Sequence, residues 1–386
     1  SLLSDSFFMT YPTIRQHLHR HPELSGQEKN TAAFIIENLR QTGVTTIHYP
    51  VAGHSVLAVI ESKQAGPAVL FRCDTDALPI QELTDHDHVS ENDGVMHACG
   101  HDGHTTILLR FAEMLMQRPP QSGTVLLLFQ AAEETGSGAR AVIRSKILDK
   151  YNISEVFALH NIPGFKKNQI ICRKGPFTAA AESLQISLIG KTSHASEPEK
   201  GISPAPAVAD IIRYFETLNQ TDKSRPDYFL STPIQIKMGA DAFGTTAGEA
   251  TVGYTFRAWY NTLFGQKKEE IEKGVKNTVR KTEGLDVHFN WIEPFASCEN
   301  NSDAVQRIMS AAEKCKFNYI IKPEPFSWGE DFGLITNEYP GALFGLGAGT
   351  NVPSLHNPDY DFPDELIESG AQMFFAIAEE SMRREA

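Results

Sequence analysis

Apolar residues along this chain gather in short β-like runs separated by helical patterns. That alternation predicts βαβ units built around a largely parallel sheet. Residues 1–45 read as helical, with Phe34, Ile35 and Leu39 at helical spacing and Gly43 as a stop. Strands are expected at 55–60 and 68–71, a helix at 105–116, and a strand at 124–129. A helix at 137–148 and a strand at 155–159 continue the series.

The character changes after Gly175-Pro176. Residues 184–189 alternate as a half-buried strand does, and a helix is expected at 205–218. Strands near 233–238, 250–258 and 286–291 flank a charged, exposed helix at 266–283. This block reads as a small α+β module with an antiparallel sheet. Beyond Pro294 the chain resumes with a helix, a strand at 342–346, a long loop and a final helix from Asp364. The expected fold is therefore α/β. A mostly parallel-sheet domain (1–177 and 293–386) is interrupted by an inserted α+β domain (178–292). No internal repeat or low-complexity segment is apparent.

With 386 residues the chain has room for two or three domains at about 150 residues each. Its composition, 41% hydrophobic and 22% charged, is that of a globular protein and not of a disordered or coiled-coil chain. A net charge of −13 without a dense Lys/Arg block argues against nucleic acid as a partner. The longest strongly apolar stretch, Val125 to Phe129, is far shorter than the roughly 20 residues of a membrane helix, so no membrane is expected. Ser1 to Asp5 carries no basic leader. The five cysteines (73, 99, 172, 298, 315) are odd in number and form no CxxC, which predicts a reducing, cytoplasmic setting.

Chemistry concentrates first in Met96-His97-Ala98-Cys99-Gly100-His101-Asp102-Gly103-His104, just before a predicted helix. Thiolate and imidazole together suit borderline-soft divalent ions, and Gly100 and Gly103 allow a tight loop in which Cys99 and His101 converge. Glu133 and Glu134 sit where an apolar strand ends, the place where open α/β sheets bind ligands. In extended backbone they point to different sides, so one can grip a metal while its neighbour serves as general base. His160 directly follows the strand at 155–159, and His356 lies beyond the strand at 342–346. Asp74 and Asp76 follow the strand ending at Phe71 and can hydrogen-bond ligand histidines. For both, and nearly equally for Asp76, loop capping is the alternative.

Rival motifs are weaker. Gly345-x-Gly347-x-Gly349 is followed by Val352-Pro353 and not by a helix. GxSxG, HExxH and a Walker lysine loop are missing. Cys99 as a nucleophile is the remaining competitor to Cys99 as a ligand. His17, His21, His48, His54, His86, His88 and His288 have no evident convergent partners. His19 reads as structural or as a support to a ligand, and His97 and His104 as hydrogen-bonding flanks. Asp331 is open between positioning the site and capping a helix.

Taken in order, these motifs resemble the dinuclear metallo-amidohydrolases that include aminoacylase, hippurate hydrolase, N-acetyl-diaminopimelate deacetylase and auxin-conjugate hydrolase, with glutamate carboxypeptidase as a distant relative. The matching segments are Leu18-His19-x-x-Pro22-Glu23-Leu24-Ser25, Asp74-x-Asp76-Ala77-Leu78-Pro79, 96–104, Gln130-x-x-Glu133-Glu134, Ala158-Leu159-His160, Gly190-Lys191-x-x-His194-Ala195 and Glu330-Asp331-Phe332. The resemblance implies two divalent ions bridged by Cys99, one taking Glu134 and His356, the other His101 and His160. A Cys/His/Glu donor set accepts zinc first, with manganese, cobalt or nickel as alternatives. Glu133 matches the general base, His194 an oxyanion donor on a lid, and Arg257 a contact for the substrate carboxylate. The inserted domain becomes a lid and dimerisation domain, the protein a homodimer, and the substrate an N-acyl amino acid or dipeptide-like amide. A strict dipeptidase or carboxypeptidase and a non-catalytic metal- or peptide-binding relative are the alternatives. One departure stands out: Gly244-Thr245-Thr246-Ala247 replaces the Asn-Val-Ile-Pro run that usually precedes the lid arginine.

Overall fold

The computed structural model describes residues 9–382. The stretch Ser1 to Asp5, and with it the start of the helical reading over 1–45, lies outside the described residues. In chain order the elements begin with α1 (Tyr11–Arg20), α2 (Lys29–Gln41), β1 (Thr46–Val51), β2 (Ser55–Glu61) and β3 (Ala68–Asp74). Next come α3 (His101–Gln117), β4 (Thr124–Gln130), α4 (Gly138–Arg144), β5 (Ile153–Pro163), β6 (Ile170–Cys172) and β7 (Gly175–Pro176). The middle of the chain forms β8 (Ala180–Ile189), α5 (Ala205–Thr217), β9 (Phe229–Met238), β10 (Glu249–Ala258), α6 (Asn261–Val279) and β11 (Asp286–Phe295). The last elements are β12 (Glu299–Asn300), α7 (Ser302–Lys314), β13 (Tyr319–Ile321), α8 (Gly333–Glu338), β14 (Gly341–Gly349) and α9 (Glu365–Ser381).

The chain divides into two compact units. The first runs through Phe177 and resumes over Cys298–Lys322 and from Asp331 onward; the second comprises Thr178–Ser297 and Pro323–Glu330.

An eight-stranded sheet of order β1-β2-β4-β3-β5-β14-β6-β13 organises the first unit. Neighbours β4, β3, β5 and β14 run parallel, so their carboxyl ends finish on one edge. Both faces of these strands are covered, which is why β3 and β4 are buried almost along their length and read as continuous apolar runs. Phe71 of β3 meets Phe111 of α3 and Phe374 of α9 edge-on, with centroids 4.8 and 5.2 Å apart. Truncating such a ring to Ala costs about 3–5 kcal/mol. Asn301 caps α7, accepting from the N–H groups of Asp303 and Ala304.

In the second unit a four-stranded antiparallel sheet has the order β11-β8-β10-β9. Ala250, Val252, Tyr254, Phe256 and Ala258 of β10 alternate into a core shared with Ile211 and Phe215 of α5 and Ile271 and Val275 of α6. Helices on one face explain the two-residue period.

Several boundaries differ from the sequence reading. Among the described residues up to 45 there are two helices and not one, because Pro22 follows the end of α1 and disfavours helical geometry at His21. α3 begins at His101 and not at 105, so His101 lies inside the first turn. β5 continues through Pro163, which puts His160 within the strand and not after it. β1, β6, β7, β12 and β13 were not anticipated; β6, β7, β12 and β13 are two or three residues long, too short to show a period. No described helix is long and apolar enough to cross a membrane.

Candidate metal centre

The centre is assembled at the carboxyl edge of the parallel strands. Asp74 closes β3, the Glu133-Glu134 pair follows β4, His160 lies near the end of β5, and His356 follows β14. The loop into α3 brings Cys99 and His101. Gly100 between them has φ +83, and a Cβ there would overlap the Asn161 side chain. Glycine is required on both counts. Gly103 serves a different purpose from the loop flexibility expected of it: it lies within α3, where the Phe362 ring occupies the space of a Cβ.

Glu133 and Glu134 are separated by a turn and not by extended alternation. Ala132 takes a left-handed φ of 55°, its N–H donates to Oε1 of Glu28 at 2.8 Å, and Gly136 N–H closes on Glu133 O at 2.8 Å. His356 is also left-handed (φ 67°), and its N–H donates to Ala98 O at 2.8 Å, tying it to the Cys99 loop.

Donor atoms of Cys99, Glu134 and His356 lie within 4.8 Å of one another, as do those of His101 and His160. Sγ of Cys99 is 3.6 Å from Nε2 of His160, and Oε1 of Glu134 is 3.7 Å from Nε2 of both His101 and His356. Metal bonds of about 2.0–2.3 Å place two ligands of one tetrahedral ion roughly 3.3–3.8 Å apart, so these spacings suit shared ions. Oε2 of Glu133 stands 3.9 Å from Nε2 of His101, and Asp331 N–H points to its Oε1 at 3.4 Å.

Two buried atoms, Nε2 of His101 and Oε1 of Glu134, have no hydrogen-bond partner among the described residues. The electrostatics fit a set of donors suited to a cation. Burial, and then the charges of Glu134 and Glu133, push the Cys99 thiol well above its ordinary range. Burial raises the Glu134 carboxyl to about 7 against the pull of His101. Burial lowers His160 and His356, leaving both imidazoles neutral, the form that ligates. A divalent cation would reverse the first two shifts and use the last two.

Supporting hydrogen bonds fix which nitrogen faces the centre. His101 donates Nδ1–H to Asp76 O at 2.9 Å, and His160 donates Nδ1–H to Asn161 O at 2.8 Å, so each turns Nε2 inward. His104 lies beside them but spends both nitrogens elsewhere: Nδ1 donates to Asp74 at 2.7 Å, and Nε2 accepts from Asn161 N–H at 3.0 Å. Asp74 also receives Arg72, whose guanidinium reaches Asp331 at 2.6 Å. Asp331 accepts further from Gln130 at 2.8 Å and Ala139 N–H at 2.9 Å.

Asp76 and Asn161 were under-read from sequence. Oδ2 of Asp76 accepts Glu134 N–H at 2.9 Å and Ser25 hydroxyl at 2.7 Å, so one carboxylate aligns Glu134 while its carbonyl aligns His101. Asn161 donates to Cys99 O at 2.8 Å and accepts from Tyr360 hydroxyl. Position next to His160 was the signal for Asn161; Asp76 stood in the quoted Asp74-x-Asp76 motif. His97 corrects another expectation: it is buried, burial lowers its ring to about 4, and neither nitrogen has a hydrogen-bond partner among the described residues. His86, read as isolated, gathers with His19 and Glu82 on one side and with His88 and Asp361 on the other.

His194 and Arg257 belong to the second unit. Nδ1 of His194 accepts Ser196 N–H at 3.1 Å, so the neutral ring carries its proton on Nε2. Gly244 to Thr246, where the sequence departs from the usual run, lie directly against it. Ala195 N–H donates to Gly244 O at 2.9 Å, and Thr246 Oγ1 accepts Ser193 N–H at 2.8 Å. Arg257 donates to Ser327 O at 3.0 Å and is partly buried.

Comparison with known proteins adds independent findings. Residues 70–380 match Peptidase family M20/M25/M40. The Arabidopsis thaliana protein IAA-amino acid hydrolase ILR1-like 4 is 30% identical over 97% of this chain and 86% of its own length. N-acetylcysteine deacetylase of Bacillus subtilis is 30% identical over 95% of both chains. Among solved structures, the Bacillus subtilis YXEP protein, described as a dinuclear metal binding peptidase from the M20 family, superposes with a TM-score of 0.83 at 27% identity, covering 96% of this chain and 97% of its own.

Proposed function

The chain belongs to peptidase family M20/M25/M40, and from that membership we propose that it hydrolyses the amide bond of N-acyl amino acids or similar small amides. The observation that carries this reading is the Glu133-Glu134 pair, one carboxylate among the candidate ligands and the other 3.9 Å from His101.

Two divalent ions held by Cys99, Glu134, His356, His101 and His160 would supply an activated water and a positive charge for the carbonyl oxygen. Zinc is our first choice for this thiolate, imidazole and carboxylate set, with manganese, cobalt or nickel as alternatives. In our assignment Glu133 takes the water's proton on its carboxylate and passes it to the leaving nitrogen. His194 donates its Nε2 hydrogen to the developing oxyanion, where losing one donor costs on the order of 100- to 1000-fold. Arg257 meets the substrate carboxylate as a planar, permanently charged donor.

A homodimer through the inserted domain is part of the proposal. β9 is an edge strand, and Ile234, Ile236 and Met238 on it are 65%, 45% and 45% exposed. An open apolar edge of this kind is a pairing surface. We also place the protein in the cytoplasm, where a reducing environment keeps the Cys99 thiol available; no disulfide joins any described cysteines.

A panel of N-acetyl, longer-acyl and aromatic-acyl amino acids beside dipeptides tests the proposal. Release of the free amino acid from the acyl series is expected. Turnover of dipeptides alone would favour a strict dipeptidase, and turnover of neither would refute hydrolysis.

A further inference from the structure

Away from the Cys99 centre, the loop between β3 and α3 carries Glu82, His86 and His88 against Asp361, which precedes α9. Nε2 of His86 lies 3.3 Å from Oε1 of Glu82 and 3.9 Å from Oδ1 of Asp361. Neither ring nitrogen of His86, both buried, has a hydrogen-bond partner among the described residues. The loop is held in place beforehand: Leu83 N–H donates to Pro358 O at 2.8 Å, and Ser90 N–H to Oε2 of Glu82 at 2.6 Å.

Charge is unbalanced here. Glu82, Asp102, Asp361 and Asp364 surround Arg15 and His19, with Arg15 contacting Asp102, Asp361 and Asp364, and His19 contacting Asp102 and Glu82. Four carboxylates facing two cations leave two negative charges beside a neutral imidazole. Burial disfavours the charged form of His86, so its ring adds no positive charge to the cluster. Glu82 and Asp102 are essentially buried and paired with His19 and Arg15, and Thr84 hydroxyl also donates to Oε1 of Glu82 at 2.6 Å, so the excess negative charge falls on Asp361 and Asp364, each about one-third exposed. Asp361 is one-third exposed, which leaves an entry path.

The rings of His86 and His88 stack at 3.6 Å and 8°. An ion in the plane of one ring cannot lie in the plane of the other at bonding distance. Nε2 of His88 also lies 3.2 Å from Nη2 of Arg15, so His86 is the available imidazole donor.

We propose that His86, Glu82 and Asp361 form an additional divalent-cation site, distinct from the Cys99 centre, with water completing the shell. One imidazole with two carboxylates suits first-row ions such as Zn²⁺ or Mn²⁺. The 3.3 Å separation already equals the roughly 3.3 Å expected between two ligands of one ion, and the 3.9 Å separation to Asp361 must shorten to reach it. Binding there ties the loop after β3 to the segment before α9, and an ion that binds the folded chain raises its stability.

Equilibrium dialysis of the purified holoprotein against Zn²⁺, followed by metal analysis, tests this. Wild type is expected to take up one more equivalent than His86→Phe or Asp361→Asn. His88→Phe, which keeps the ring stack, retains that equivalent. Equal uptake by wild type and both folded variants overturns the site, and loss in His88→Phe overturns the assignment of His86 as its imidazole. Because the readout is a difference between variants, it stands apart from the number of ions at the Cys99 centre and from any turnover. Should one variant fail to fold, the other carries the comparison.

Discussion

Nε2 of His160 faces Sγ of Cys99 at 3.6 Å, while Nδ1 of the same ring donates to Asn161 O at 2.8 Å. The backbone bond decides which nitrogen is offered to an ion, and a strand, not a side-chain rotamer, carries that bond. Asn161 extends the same control to the thiol, since its amide donates to Cys99 O at 2.8 Å. Asn161→Leu is therefore expected to lower metal affinity about 10- to 100-fold, the usual effect of removing a group that orients ligands. Cobalt-substituted protein supplies the check: its thiolate charge-transfer band should weaken at equal cobalt. An unchanged band and affinity would remove Asn161 from this role.

Glu133→Gln should keep the metal content and reduce turnover by about 100- to 10,000-fold, the range for a lost general base. Metal analysis beside kcat separates the outcomes. Substantial residual turnover would mean another group takes the proton.

For His194→Ala we expect kcat to fall on the order of 100- to 1000-fold with KM and metal content little changed. Ser196→Ala removes a hydroxyl 2.7 Å from Nδ1 while leaving the Ser196 N–H bond in place, so its effect should be much smaller. Equal losses in both variants would point to loop disruption.

The buried His19 couples stability to pH. Burial opposes its charge, but Asp102 and Glu82 outweigh burial and raise the ring from 6.5 to about 9. A raised value in the folded state means the stabilisation is complete below 6.5 and is lost as pH climbs through about 9. Its size is at most roughly 3 kcal/mol. Urea midpoints of wild type should fall across that window, and those of His19→Gln should fall less. Parallel curves would contradict a charged His19.

Much of this was legible along the chain because it is local. Long apolar runs exposed β3, β4 and the core of β5, and the ends of those runs located Asp74, Glu133, Glu134 and His160. What escaped is long-range. Arg15 meets Asp364 across 349 residues, and Arg72 meets Asp331 across 259. Hydrogen bonds of that separation leave no period in the sequence. Asp76 was ambiguous because a loop aspartate that caps a turn and one that aligns Glu134 look alike until the partner is known. His86 and His88 were passed over because Asp361, the residue that joins them, is 273 residues from His88.

In the proposed centre the Cys99 sulfur is shared by both cations. Metal analysis of freshly purified wild type and Cys99→Ala after exhaustive dialysis addresses that directly. The account predicts two tightly held ions per wild-type chain and at most one in the variant; two ions retained by Cys99→Ala would contradict it.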